Sequence, residues 1–126
     1  MDEPITIEAL GAMLDELAEE IPEAFFRELN GGVNLLPDTV THPADEAGEL
    51  YTLGEYRHDS MGRYIVLYHG SLTTAFPGYR PAQMRAQVKK TLLHEFTHHL
   101  ESLAGEHGLE DKDERDLAAY RRGKNR

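Results

Sequence analysis

The chain has no cysteine among its 126 residues. Disulfides, thiolate nucleophiles and cysteine-held zinc are therefore excluded, and any metal must be held by His, Asp or Glu. Basic charge is scarce: 13 Lys and Arg stand against 23 Asp and Glu, a formal net charge of −10. General nucleic-acid binding needs a basic footprint, and docking on anionic membranes needs the same sign, so both are argued against. The one basic run, residues 121–126, reads as a frayed tail. No apolar run approaches the length of a membrane span, and the acidic N-terminus lacks the apolar stretch of a signal peptide. Internal repeats and low-complexity linkers are missing too. What remains is a 40% hydrophobic, 29% charged composition. The expectation is one cytoplasmic domain over residues 1–126 with a modest core.

Apolar spacing predicts the elements. Ile7, Leu10, Leu14, Leu17 and Ile21 recur at helical intervals behind a capping Thr6. A second helical stretch, Pro22 to Leu29, is stopped by Asn30, Gly31 and Gly32. Residues 33–37 and 50–56 read as strands, with a polar, Pro-bearing loop between them. Residues 63–70 form the best strand, rich in β-branched and aromatic side chains, and pair with 50–56 through a turn at 58–62. A loop follows from Leu72 to Arg80. Pro81 then opens a long helix to about Ala104, with Gly105 as its stop. Asp111 and Glu114 have capping-box spacing and predict a last helix. The order gives an α+β domain with a small sheet.

The long helix carries HEFTHH at residues 94–99. At about 100° per residue, Met84, Val88, Leu92, Leu93, Phe96, Leu100 and Leu103 share one side, which must face the core. His94, His98 and Glu101 fall nearly opposite, with Gln87 and Thr91. His94 and His98 are one turn apart on one face, so two imidazoles converge on one cation. Glu95 sits on the flank, where it reaches a water on that cation without binding the cation itself. Zinc at such a site is a Lewis acid that brings its water near neutral pKa, and the glutamate is the base. His99 falls inside the apolar stripe and reads as a buried, hydrogen-bonded histidine holding the helix to the sheet. The bland alternative is a solvated helix face with two exposed histidines.

With these residues in view, the chain resembles the small bacterial zincin-like family of zinc metallopeptidases. The resemblance runs through EEIPEAFFREL, LYTLGEY, RYIVLYHGSL and, most specifically, TLLHEFTHHLESLAG with its doubled histidine. It implies a minimal zincin-like domain: an N-terminal helix, about three strands, the long HExxH helix and a C-terminal helix. It implies a zinc site on His94 and His98 with Glu95 as catalytic residue.

A catalytic zinc takes three protein ligands, and HEFTHH supplies two. A metzincin-like turn would need Gly at 101 and a ligand at 104, where Glu101 and Ala104 stand. Glu101 shares the histidine face, but three ligands on one helix span about 10 Å, too far for one ion. It reads as a residue behind the metal ligands or as an ion-pair partner. In the last helix, Leu109, Leu117 and Tyr120 define an inward stripe on which Asp113 and Asp116 also fall, and buried acids call for a reason. Asp113 is the preferred third ligand, ahead of Asp116, Glu110 and His107. The other reading of these acids is charge at a helix N-terminus.

Other residues weigh less. His69, at a strand end, either lines the cleft or is simply exposed. Tyr68 and Tyr79 would serve as oxyanion donors, but packing is their commoner use. His42 and His58 read as solvated loop residues. The expected activity is hydrolysis of short or flexible peptide segments in a shallow cleft, with zinc as cofactor. The rival is a non-catalytic metal-binding or interaction module docking a partner along the exposed strand, and a plain acidic adaptor is weaker still. The oligomeric state and the natural substrate are not readable from these residues.

Overall fold

Thr6 starts the first element as its sequence requires. Its side-chain oxygen accepts from the Ala9 amide at 3.1 Å, capping helix α1, Ile7–Glu20. Leu10, Leu14 and Leu17 bury the inner face of α1. The structure is a computed structural model and describes residues 4–42 and 50–107. Among these residues no helix is long and apolar enough to cross a membrane.

Strand β1, Val33–Leu36, pairs in parallel with β5, Gly62–Tyr68, in a register that sets Val33 beside Ile65. Strand β4, Gly54–Asp59, pairs antiparallel on the other side of β5, from Gly54 beside Leu67 to Asp59 beside Gly62. The sheet order is β1-β5-β4, so β4 is an edge. The β4–β5 hairpin is the one expected, and Gly62, at φ 106°, supplies the left-handed turn residue. Helix α3, Pro81–His107, opens at Pro81 as predicted and lies across the sheet. Met84, Val88, Leu92, Phe96 and Leu103 are all at most 2% exposed. They join Leu10, Leu17, Ile65 and Leu67 in the core. Described elements and topology together make the expected α+β architecture.

Several local expectations are corrected. The stretch after Pro22 makes only one 3₁₀ turn, Glu23–Phe26. Arg27 then turns extended and Glu28 takes φ 63°, which breaks the helix while Phe26 packs edge-on against Phe96 at 4.9 Å. The expected strand 50–56 is two pieces, β3, Tyr51–Thr52, and β4. Leu53 between them gives its carbonyl to the Tyr68 amide. The polar loop before it contains β2, Val40–Thr41, which pairs antiparallel with β3. The best strand stops at Tyr68, because His69–Ala75 form a helix, α2, where a loop was expected. Ser71 fixes that helix, its amide on Asp38 and its hydroxyl on Val40. Gly105 does not end α3; it keeps a helical φ, and the helix continues to His107. The expected C-terminal helix lies outside the described residues.

Candidate functional site

Helix α3 presents two faces. On its outer face His94 and His98 are exposed, and their Nε2 atoms are 3.1 Å apart with rings nearly perpendicular, at 87°. In a neutral pair one Nε2 donates to the other. Two imidazole nitrogens on one tetrahedral zinc, each about 2.0–2.1 Å from it, stand about 3.3 Å apart. The separation in the protein is close to that, so this donor pair fits such an ion with little movement. His98 Nδ1 lies 3.8 Å from Glu101 Oε1. A carboxylate there favours the Nδ1–H tautomer and leaves Nε2 free to act as a ligand.

Glu95 is the unexpected member. A helical wheel puts it on the flank, yet it is only 6% exposed. Its carboxylate accepts no hydrogen bond from any described residue. Burial, first, and the nearby Glu55 carboxylate, second, push its pKa up to about 7. An acid tuned near neutrality at the bottom of a groove is suited to taking and giving a proton.

The groove holds about 1400 Å³, roomier than the shallow cleft expected from chain length. Part of its wall, at His42 and Phe76, comes from segments that the sequence reads as loop. The β2–β3 ribbon contributes His42, Tyr51 and Thr52, and the end of α2 contributes Phe76, stacked at 4.9 Å on Tyr79. His42, just past β2, is exposed as expected and also lines the groove. The edge strand β4 supplies Gly54, Glu55 and Tyr56. Gly54 is required where β4 meets α3: a Cβ there would stand 2.6 Å from Leu67 Cδ2 and 3.2 Å from Thr91 Cγ2.

Beneath the groove a polar network sets the helix. His99 is fully buried, and its Nε2 is 2.8 Å from the Arg27 carbonyl, so Nε2 carries the proton and donates. Its Nδ1 then accepts from the Tyr56 hydroxyl at 3.0 Å. The Tyr56 oxygen accepts in turn from Arg63 Nη1 at 2.8 Å, and Arg63 also reaches Ser102 Oγ at 2.6 Å. Burial holds the His99 pKa below its usual value, so the ring is neutral. The holding role expected of His99 is the one it has.

Other residues weighed for the site take various places. His69 Nε2 donates to the Ile5 carbonyl at 2.6 Å and does not line the groove. Tyr68 is buried and hydrogen-bonded to Arg57, while Tyr79 does line the groove. Asp113, Asp116 and Glu110 lie outside the described residues, as does the side chain of His107. Among the described residues no three His, Asp or Glu gather to hold a metal ion. Sequence reasoning missed Glu55 and Tyr56. Their place on a strand beside the long helix was the available signal, since Gly54, Glu55 and Tyr56 all line the groove.

Residues 48–120 match the model of a family described as zincin-like metallopeptidase. No curated protein matches. Among solved structures, a conserved hypothetical protein from Thermus thermophilus is 38% identical. The match covers 80% of this chain and 99% of that one, with a TM-score of 0.67. The paired histidines, the buried acid between them and the matched region coincide on α3, and the chain belongs to the family of zincin-like metallopeptidases.

Proposed function

We propose that the protein is a zinc-dependent peptidase with Glu95 as its general base. One observation carries this reading: a buried carboxylate without a hydrogen-bond partner among the described residues, on the same turn as two imidazole nitrogens 3.1 Å apart. His94 and His98 would hold the metal through Nε2, and Asp113 is the third ligand in this reading. Zinc, when bound, supplies a Lewis acid and a water acidified to near neutrality. Glu95 accepts a proton from the attacking water on a carboxylate oxygen and returns it to the departing amine nitrogen. Its pKa of about 7 suits both transfers. The groove along β4 suits an extended peptide or a flexible protein segment as substrate. Zinc is favoured over manganese or iron by affinity for imidazole and carboxylate ligands.

The test has two steps. Elemental analysis after exchange into metal-free buffer and addition of zinc should give about one zinc per chain, lost in His94→Ala. Glu95→Gln should keep the metal and lower peptide hydrolysis by about 10²–10⁴-fold. Metal binding with Glu95→Gln as active as wild type, or with no hydrolysis in wild type, would replace this reading with the non-catalytic metal-binding module.

A further inference from the structure

Strand β4 runs beside α3 in a register fixed at two points. Gly54 abuts Thr91, and the Tyr56 hydroxyl meets His99 Nδ1. Glu55 lies between these points and lines the groove together with Glu95. Its carboxylate is held from one side only. Arg57 donates from Nε at 2.9 Å and from Nη2 at 2.7 Å, both to Oε2. Tyr68, hydrogen-bonded to the same guanidinium, steadies Arg57. Oε1 has no hydrogen bond with any described residue, and the side chain is 31% exposed. A carboxylate clamped at one oxygen keeps acceptor capacity at the other.

Glu55 and Glu95 both line the groove. A cation entering it at Oε1 would gain a charge-assisted hydrogen bond to a carboxylate already oriented by Arg57.

We infer that Glu55 anchors a cationic group of the peptide substrate, an ammonium or guanidinium seated at Oε1 next to the bond to be cleaved. The inference rests on the peptidase reading and narrows its substrate class. Two sources share this chemistry. One is the α-ammonium of a peptide N-terminus, which would make the enzyme trim chain ends. The other is a Lys or Arg side chain, which would make it cut within chains.

Binding to zinc-loaded Glu95→Gln protein separates the inference from catalysis. The probe is an alanine-rich pentapeptide labelled at its C-terminus, in three forms: free α-amine, N-acetylated, and N-acetylated with one lysine. Fluorescence anisotropy should show one of the two cationic forms binding about tenfold more tightly than the neutral one. A second change, Glu55→Gln, should abolish that preference and leave the neutral peptide unaffected, while Glu55→Asp retains most of it. Preference for the free amine identifies the chain end, and preference for lysine identifies the side chain. Equal affinity for all three forms, no measurable binding of any, or equal loss for all three in Glu55→Gln would overturn the inference. The peptidase reading fails by a different result: the preference is present in binding, yet wild type cleaves none of the three.

Discussion

His98 and His99 are neighbours in sequence and opposites in use. His98 stands exposed on the groove face of α3, its Nε2 turned to His94. His99 is fully buried on the core face, with both ring nitrogens committed to Tyr56 and Arg27. The two side chains leave one helix about 100° apart, one on its chemical face and one on its structural face. The difference shows that a histidine is defined by the partner of each nitrogen, not by its motif. Glu95, between the faces, belongs to both: buried like the core, and without a hydrogen bond from any described residue, like a site.

The comparison predicts that stability and function separate by face. The largest stability effect belongs to the core face. Phe96→Ala removes a fully buried ring packed against Phe25 and Phe26 and should cost about 3–5 kcal/mol in urea unfolding. A loss under about 1 kcal/mol would mean that the core is not organised around this helix.

Next comes Glu95 in the metal-free protein. Its folded pKa, about 7, lies above the ordinary 4.5. The folded state therefore holds its proton longer than the unfolded chain, and stability falls as pH rises from 4.5 to 7. Glu95→Gln should be more stable than wild type above pH 7, by up to about 3 kcal/mol, and equal to it below pH 4.5. The substitution proposed to lower hydrolysis should thus strengthen the metal-free fold. Parallel melting curves across pH would refute this if the gap does not widen above neutrality.

The two histidines give the smaller pair of effects. His99→Ala strands the Tyr56 hydroxyl and the Arg27 carbonyl and should cost about 1–3 kcal/mol. His98→Ala should change stability by less than about 0.5 kcal/mol without metal, yet remove metal binding. If both variants lose stability equally, the two faces are not distinct.

Much of this was legible in the residues because it rests on period and capping. Thr6 and the Leu10, Leu14, Leu17 spacing determine α1, and the apolar stripe of α3 sorts His94 and His98 from His99. The burial of Glu95 was not legible. A helical wheel gives an angle but not what lies across from it, and here that is the edge of β4 with Glu55. Helix α2 and strand β2 were missed for a related reason. Neither has the length or propensity to form alone; Ser71 joins them through Asp38 and Val40, a long-range contact that no local pattern reveals. Residues at their ends, His42 and Phe76, wall the groove, so its size was hidden with them.

The parallel pairing of β1 with β5 bears on how the chain folds. The β4–β5 hairpin closes over Ser60 and Met61 alone, and α3 forms from contacts within itself. β1 must wait for the whole stretch from Pro37 to Met61 to loop back, an entropy cost met before any contact repays it. The back of the groove should therefore assemble early and the far edge of the sheet late. Substitutions at Val33 should speed unfolding with little change in the folding rate, whereas substitutions at Ile65 should slow folding.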